Sequence, residues 1–356
     1  MSAAGIDPSI VDLKRLADWM DGQGLPGGSI EGVEVLTGGT QNVLLRFTRG
    51  GRSFVLRRPP PHPREKSNET MRREARVLSA IADSDVPHPK LIAACPETDP
   101  LGASFYLMEP VDGFNPTQEM PEYHRGDPAI RRAMGFSLVD SIAALGRIDY
   151  ESVGLTGFGR PEGYLERQVD RWRSQLASYR DIEGYPGSDI PGVERVAEWL
   201  TAHRPGHWSP GIIHGDYHLA NVMYRYDSPD LAAIVDWELS TIGDPLIDLG
   251  WLLATWPRDD QSSVAAIGVK PWDGFPDAQA LVERYREGSD RDLSQIDWYM
   301  VLACYKLGII LEGTFARACA GKAPKATGDL LHATTIGLLE RALETIETIE
   351  TIEPAV

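Results

Sequence analysis

The chain has 356 residues, of which 42% are hydrophobic and 24% are charged, a composition typical of a soluble globular protein. A chain of this length is longer than one that typically forms a single hydrophobic core, so we predict two domains or lobes. The formal net charge of −17 argues against nucleic acid as a partner, since an acidic surface repels phosphate backbones; it suits solubility and would also suit a cationic substrate.

The amino-terminal third predicts a small sheet with one helix packed on it. A helical stripe of apolar residues covers 9–20 and is followed by glycine and proline residues. Alternating apolar residues and turn signals then predict strands, and a Pro-rich stretch at 59–63 separates these strands from a helix. The predicted elements are strands at 33–36, 43–48 and 53–57, a helix at 68–81 and a strand at 104–108, with a Pro-rich connection before the last of them.

After residue 110 the pattern becomes helical, so we place a lobe boundary there and predict an α+β fold. Helices are expected at 128–148, 161–179, 192–203 and within 275–347, and a motif-rich span with short apolar runs occupies 211–249. Thr-Ile-Glu occurs three times from Thr345 to Glu353. A period of three drifts around a helix, so residues 346–356 are interpreted as a fraying helix end or a low-complexity tail.

Three features bear on the cellular compartment. The three cysteines are far apart and predict neither a disulfide framework nor a zinc site; they are Cys95, Cys304 and Cys319. Residues 1–10 lack the basic and apolar regions of a signal peptide. The apolar stretch 298–310 is short and contains a lysine, which favours a buried core helix over a membrane span. We therefore expect a cytoplasmic protein with no membrane partner.

The strongest chemical signal is the segment His214-Gly-Asp216-Tyr-His-Leu-Ala-Asn221, which is followed fifteen residues later by Asp236. An apolar, strand-like run precedes each of the two carboxylates. If the strands bring Asp216, Asn221 and Asp236 together, the site is rich in oxygen ligands and suits phosphoryl transfer with Mg²⁺. For any one aspartate, a role as turn former or helix cap is the alternative.

Three blocks of sequence resemble the aminoglycoside phosphotransferase and choline kinase family, a branch of the protein-kinase-like fold. They are residues 214–221, Ile234-Val-Asp-Trp-Glu238 and Gly243-Asp-Pro-Leu-Ile-Asp-Leu249. The Asp-Trp-Glu block and the Val-Leu-Arg-Arg-Pro-Pro strand end are most similar to the kinase-like domain fused, in some proteins, to acyl-CoA dehydrogenases. The resemblance covers about 30–340 and implies a bilobal fold.

In that fold residues 1–110 would form a nucleotide-binding lobe. Residues 111–345 would form a helical lobe that holds the catalytic loop and the acceptor pocket.

The resemblance also implies roles for single residues. Asp216 would be the catalytic base, and Asn221 and Asp236 would hold Mg²⁺. His214 is interpreted as a structural histidine, and His218 either touches substrate or phosphate or is also structural. The 243–249 block would support the catalytic loop.

The nucleotide site is implied on the amino-terminal side. The turn between the first two strands would approach the phosphates; its candidate residues are Gly38, Gly39, Thr40 and Asn42. Arg57 stands where the family has a phosphate-binding lysine, and Glu74 would orient it. The hinge between the lobes would hold adenine and contains Met108, Glu109 and Val111.

The sequence thus predicts a kinase that uses ATP, with GTP as an alternative donor, and Mg²⁺ to phosphorylate a hydroxyl of a small molecule. Because Arg57 replaces the lysine, a nucleotide-binding protein without turnover is the second hypothesis. A protein kinase is disfavoured, since His-Arg-Asp and Asp-Phe-Gly are absent. The acceptor stays open among an aminoglycoside, a choline-like amine and a hydroxyacyl compound, and residues of the late helices such as Tyr305, Glu312 and Arg317 are candidates to line its pocket.

Overall fold

The amino-terminal lobe is built on one five-stranded antiparallel sheet. The computed structural model describes residues 11–36, 42–61, 65–187, 190–258 and 267–352. The strands are β1 (Glu31–Val35), β2 (Val43–Arg49), β3 (Arg52–Arg58), β4 (Leu91–Cys95) and β5 (Phe105–Met108), in the spatial order β1-β2-β3-β5-β4. The predicted strands are therefore present, and β3, which carries Arg57, lies at the centre of the sheet.

Strands β2 and β3 form a tight hairpin. Arg49 pairs with Arg52, and the two residues between them, Gly50 and Gly51, have φ angles of 55° and 75°. Two consecutive residues with positive φ match the right-handed twist of the strands, and glycine adopts this conformation at low cost. The hairpin fixes the register that pairs Leu44 with Arg57.

Helices cover both faces of the sheet. Helix α1 (Leu13–Gly22) begins after Asp12, whose side chain accepts hydrogen bonds from the N–H groups of the first turn, and it packs into a small core with Phe47 and Phe54. Helix α2 (Ser67–Ala80) lies on the other face and belongs to the main core. It agrees with the predicted helix within one residue at each end.

Strand β4 is absent from the sequence-based prediction. Its sequence, Leu-Ile-Ala-Ala-Cys, has two alanines and follows a Pro-rich connection, so its own preference for extended structure is weak. It forms at the edge of the sheet because β5 supplies an antiparallel partner, with Cys95 opposite Phe105. Strand β4 therefore depends on pairing with a distant segment more than on its local sequence.

The carboxy-terminal lobe is helical, with two short β-ribbons that carry the motif-rich span. The ribbons pair β6 (Gly211–Ile213) with β9 (Thr241–Gly243) and β7 (Val222–Tyr224) with β8 (Leu231–Ile234). The helices are α3 (Glu122–Gly126), α4 (Pro128–Arg147), α5 (Gln168–Ser178), α6 (Val193–Ala202), α7 (Leu246–Thr255), α8 (Ala278–Gly288), α9 (Ile296–Cys319) and α10 (Lys325–Ile352). The predicted α+β, kinase-like architecture is confirmed.

Two helix ends differ from the prediction. Helix α5 begins at Gln168, because residues 161–167 form turns around a proline and a glycine. Helix α10 continues through the Thr-Ile-Glu repeats to Ile352. Ile346 is fully buried and Ile349 packs on the core. The apolar positions 339, 342, 346 and 349 are three or four residues apart, so they lie on one face of the helix and continue its apolar stripe into the repeats.

Helix α9 is long and apolar enough to cross a membrane by length and composition alone, with a mean hydropathy of 1.3 over its most apolar window. Two-thirds (67%) of that window is buried inside the protein, however. The helix packs against α7 and α10. The apolar composition and the burial of α9 are those of a central core helix.

Candidate active site

Asp216 lies on the loop between β6 and β7, where a glycine turns the chain. Gly215 has a φ of 87°, and a Cβ atom there would lie 2.6 Å from the Leu239 carbonyl oxygen. Only glycine fits this position. The Asn221 amide nitrogen donates to the Asp216 carbonyl at 2.9 Å and to its carboxylate at 3.0 Å. The amide oxygen of Asn221 accepts no hydrogen bond from the residues that the structure describes.

Two histidines fix the charge and orientation of Asp216. His218 Nδ1 accepts the Ala220 N–H at 3.2 Å, so its proton lies on Nε2, 3.3 Å from the Asp216 carboxylate. Burial by itself would raise the pKa of Asp216, but the hydrogen bond from His218 and the positive charge of Lys306 hold it well below its usual range. Asp216 is therefore ionised at neutral pH and able to accept a proton.

His214 has a structural role, as the sequence predicted. It is fully buried, its Nε2 donates to the Val235 carbonyl at 2.9 Å, and its Nδ1 accepts the backbone N–H of Asp216 at 3.3 Å. Both ring nitrogens are thus occupied within the loop. The ring holds the strand that ends before Asp236 against the catalytic loop.

Asp248, on α7, anchors the catalytic loop from below. Its two carboxylate oxygens accept the backbone N–H groups of His214 at 2.6 Å and Gly215 at 2.8 Å, and the residue is 2% exposed. Asp244, at the start of the same helix, accepts the Leu246 N–H. The 243–249 block therefore positions the loop from outside the reacting groups.

We expect Asp248→Ala to destabilise the protein by about 2–3 kcal/mol, because two buried N–H groups lose a charged acceptor. The loss is measured as the free energy of unfolding in a denaturant titration. Asp292→Ala, an exposed aspartate that accepts one N–H in the loop before α9, is the matched control and should change stability by less than about 0.5 kcal/mol. Equal effects of the two substitutions would contradict the anchoring role.

Lys306, on α9, reaches the catalytic loop and has no role in the sequence-based prediction. Its Nζ donates to the Gly215 carbonyl at 3.1 Å and lies 4.3 Å from the centre of the Trp251 ring. Burial lowers its pKa to about 8, against the opposing attraction of Asp216 and Asp248. The signal in the sequence is a lysine within the apolar stretch 298–310 of this helix, where a buried charge has to have a partner.

We expect the stability of the wild type, relative to Lys306→Met, to rise by roughly 2–3 kcal/mol between pH 8 and 10.5. The folded state releases the Lys306 proton near pH 8 and the unfolded chain near 10.5, so in this window the unfolded chain binds more protons and stability rises with pH. Denaturant titrations of both proteins across this range measure it. The comparison cancels other titrating groups, and a difference that stays constant with pH would contradict the burial of the charge.

Arg57, Glu74 and Asp236 form an ion-pair network across the two lobes. Arg57 Nε lies 2.8 Å from Glu74 Oε2, and its NH2 group donates to Asp236 Oδ1 at 2.7 Å. Tyr106 donates its hydroxyl to Glu74 at 2.8 Å. The predicted pair of Arg57 and Glu74 thus lies in contact, and Arg57 forms a second ion pair with Asp236.

Burial alone would lower the pKa of Arg57, but the carboxylates of Glu74 and Asp236 raise it above its ordinary value. The guanidinium therefore remains charged. The side chain of Glu74 is 1% exposed, whereas that of Asp236 is 41% exposed. Asp236 faces the open space between the lobes while Glu74 lies inside the protein.

Asp236 adopts an unusual backbone conformation. Its φ is 66°, and it is the only residue other than glycine with positive φ among those that the structure describes. The short 3₁₀ turn that follows is held by the Trp237 indole, which donates to the Ile234 carbonyl at 2.9 Å. The left-handed conformation costs about 1–2 kcal/mol for a residue with a Cβ atom, so the surrounding packing has to enforce it.

The predicted nucleotide contacts are described in part. Gly38, Gly39 and Thr40 lie outside the described residues. Met108 ends β5 and is buried. In the hinge that follows, the Glu109 N–H donates to Lys90, while the Glu109 carbonyl and the Val111 N–H have no hydrogen-bond partner in the described part of the chain.

Two cavities flank this region. Glu109 and Val111 line one of about 340 Å³ at the hinge. A larger cleft of about 810 Å³ opens beside the catalytic loop, where Asn42, Gly215 and Lys306 contribute to its wall. Of the late-helix candidates, Tyr305 and Glu312 are buried in the core, Glu312 accepting from Tyr185, and Arg317 donates to Thr314 at the surface. From α9 it is Lys306 and Ile310 that face the cleft.

Comparison with known proteins places these features in a family. The model of the phosphotransferase enzyme family matches residues 32–283. Acyl-CoA dehydrogenase family member 11 of Rattus norvegicus is 29% identical over 344 residues, and the human protein of the same name is 30% identical over 324 residues. These matches cover 94% and 87% of this chain, but only 43% and 40% of the relatives. The chain thus spans less than half of their length.

Solved structures agree with the fold. A crystal structure from Ralstonia eutropha, provisionally described as an aminoglycoside phosphotransferase, has a TM-score of 0.81 and 27% identity and covers 95% of this chain and 99% of its own. An aminoglycoside phosphotransferase in complex with GDP and kanamycin has a TM-score of 0.61 at 17% identity, covering 92% and 98%, and shows the fold alone. The resemblance seen in the sequence is confirmed. Since the family model matches more than half of the chain, the protein belongs to the phosphotransferase enzyme family.

Proposed function

We propose that this protein transfers the γ-phosphoryl group of ATP to a hydroxyl group of a small molecule, with Asp216 as the catalytic base. The observation that supports the proposal best is the joining of three distant segments. Asn221 contacts Asp216 and its carbonyl accepts the N–H of Val235, next to Asp236, at 2.9 Å; Arg57 contacts Asp236 from the central strand of the other lobe, 179 residues away. A base, two metal-binding oxygens and a phosphate-binding cation are the parts that phosphoryl transfer requires.

The residues present fit Mg²⁺. Asp236 offers an exposed carboxylate, and Asn221 turns its amide nitrogen to Asp216, which leaves its oxygen for a cation. No group of three or more His, Cys, Asp or Glu residues suited to a metal occurs in the described ranges, as expected for a cation that takes its other ligands from phosphate and water. When bound, Mg²⁺ would neutralise charge on the triphosphate.

The chain's own residues would then orient the reactants. Ionised Asp216 accepts a hydrogen bond from the acceptor hydroxyl, aligns its oxygen and takes its proton during transfer. His218 and Asn221 keep the carboxylate in place from two sides. Arg57, held by Glu74, offers a guanidinium to the phosphates, and the unpaired Glu109 carbonyl and Val111 N–H match the edge of a purine base.

ATP is the proposed donor, with GTP as the alternative. Structures of family members in complex with GDP and ADP support nucleotide use in general. The alternative function is a protein that binds nucleotide without turnover. Arg57 and its contact with Asp236 favour this alternative. We further propose that the protein acts in the cytoplasm.

A phosphorylation screen separates the two functions. The full chain is incubated with γ-labelled ATP or GTP, Mg²⁺ and a library of hydroxyl compounds, and transfer of label to a product is measured, while thermal shift with and without Mg²⁺ measures nucleotide binding. Labelled product supports the kinase. Stabilisation by MgATP without product in the whole library would favour the non-catalytic alternative.

A further inference from the structure

The cleft beside Asp216 has an unexpected charge. Among the described residues its wall contains five cations, Lys66, Arg160, Arg167, Arg171 and Lys306, and one acidic residue, Glu238. The chain as a whole has 52 acidic residues against 35 lysines and arginines. A concentration of positive charge in a chain of net charge −17 is therefore local to this cavity.

Within the described part of the chain these cations form no ion pair with a carboxylate, although Asp216 and Asp248 attract Lys306. Arg167 donates to the backbone carbonyls of Glu162 and Arg160, and Lys306 donates to that of Gly215, all of them uncharged acceptors. Lys66, Arg160 and Arg171 form no ion pair with a carboxylate in the described part of the chain. Arginines elsewhere are commonly paired, such as Arg49, Arg131 and Arg284. An excess of unpaired cations focuses a positive potential on the cleft.

The cations come from separate elements that converge. Lys66 precedes α2, Arg160 and Arg167 precede α5, Arg171 lies in α5, and Lys306 lies in α9. Arg171 and Lys306 both lie beside the Trp172 ring, at 5.2 Å and 5.8 Å from its centre, so the two cations are close in space. Like charges that face one cavity without partners cost stability, so a bound anion would relieve their repulsion.

The cleft also has an apolar wall. Leu239 and Ile310 are two of the most exposed large apolar side chains, at 49% and 36%, and both line it together with Trp172. The volume of about 810 Å³ lies in the range of small-molecule sites. A molecule with an apolar portion and a negative group matches both parts of the wall.

The cleft adjoins the reaction site, and of the predicted nucleotide-binding residues that the structure describes only Asn42 lines it. Gly215, next to the base, belongs to its wall, whereas Arg57, Asn221 and Asp236 do not belong to the wall as far as the described residues define it. The hinge residues Glu109 and Val111 line a different cavity. The position is that of the acceptor, beside the carboxylate that would take its proton.

We propose that the acceptor is an anionic, partly apolar hydroxy compound whose carboxylate or phosphate group binds the cations Lys66, Arg160, Arg167, Arg171 and Lys306. The proposal rests on the proposed phosphotransfer at Asp216. It excludes cationic acceptors such as aminoglycosides and choline-like amines, which this cleft would repel.

A charge-matched series of acceptors tests the proposal. Positional isomers of hydroxydecanoate are compared with their methyl esters, with hydroxydecyl phosphates and with hydroxydecylamines, using MgATP as donor. We expect at least a tenfold higher kcat/KM for an anionic compound than for its neutral ester, no measurable transfer to the amines, and a decrease with added salt. The carboxylate and phosphate arms identify which anion the site prefers. Equal rates for the ester, or preference for the amine, would overturn the proposal while leaving the kinase function intact.

Two variants locate the effect. Arg160→Gln and Arg171→Gln should each raise the KM of the anionic acceptor three- to tenfold and leave its ester and the KM for ATP unchanged. Arg180→Gln, an exposed arginine just after α5 and outside the cleft wall, is the control. A rise in the KM for ATP alone would assign the cations to the nucleotide and contradict the proposal.

Binding of decanoate and decyl phosphate, which lack a hydroxyl group, is measured by calorimetry without nucleotide. If no compound is phosphorylated but this binding depends on Arg171, the proposed activity fails and the anion site stands. If neither anion binds and no charge preference is seen, the anion site itself is refuted.

Discussion

Replacement of Asp216 by Asn should reduce kcat by about 10²–10⁴-fold, the range that a positioned general base contributes. Asparagine has nearly the same shape, so the loop should keep its form, but its amide cannot take the proton of the attacking hydroxyl. The pKa of Asp216 is held well below its usual range, so the wild-type base is ionised throughout the physiological pH range and should not limit the rate there. Initial rates with the acceptor from the screen measure kcat and the KM for ATP.

The Asp216 variant needs a control for general effects of removing a carboxylate. Asp290→Asn, at an exposed position between α8 and α9, removes a negative charge from the same lobe and should leave kcat unchanged. MgATP should stabilise wild type and both variants to a similar extent in thermal shift. Wild-type turnover by the Asp216 variant would contradict its role as base.

Replacement of Arg57 by Ala should destabilise the protein by about 3–5 kcal/mol, because it leaves the buried carboxylate of Glu74 without its cation. Tyr106 still donates one hydrogen bond to Glu74, but a neutral hydroxyl does not replace a charge. The KM for ATP should rise as well, since the same guanidinium is offered to the phosphates. The free energy of unfolding in a denaturant titration gives the first quantity and steady-state kinetics the second.

A double substitution separates the ion pair from simple loss of packing. Arg57→Met with Glu74→Leu removes both charges and fills the space, so it should recover most of the lost stability without recovering ATP affinity. Arg57→Lys keeps a charge with fewer donors and should lie between the wild type and Arg57→Ala in both measurements. If Arg57→Ala is as stable as the wild type, Glu74 is not the buried, charged partner that the structure shows.

The parts of the site that were predictable are those whose signal is local. Asp216 and Asn221 are five residues apart on one loop, and Asp236 follows the next strand, so spacing alone brought them into one hypothesis. Strand and helix periodicity along the chain predicted a small sheet followed by a helical lobe, and the resemblance of three motif blocks to a known family implied the kinase-like fold. The roles of these residues in catalysis stay a prediction, as does the lobe boundary near 110, whereas helix α10 continues beyond 346 to Ile352.

The parts that escaped prediction depend on contacts between distant segments. Strand β4 needs β5, and the Arg57–Asp236 contact spans 179 residues. Lys306 belongs to no local motif. Its role depends on the hydrogen bond to the carbonyl of Gly215, 91 residues earlier. The cations of the cleft come from two helices and two connecting segments, and their sign is opposite to the net charge of the chain. The overall composition therefore gives no indication of the charge of this cleft.

At position 236, where the backbone is left-handed, stability and the proposed activity favour different residues. Glycine would relax the backbone and remove the negative charge that faces Arg57, whereas phosphotransfer as proposed needs the carboxylate. Selection for a stable protein alone would drift toward glycine here. An aspartate that persists among active relatives, with glycine tolerated only in those that have lost turnover, would make position 236 a diagnostic marker for telling working kinases from inactive copies of the same fold.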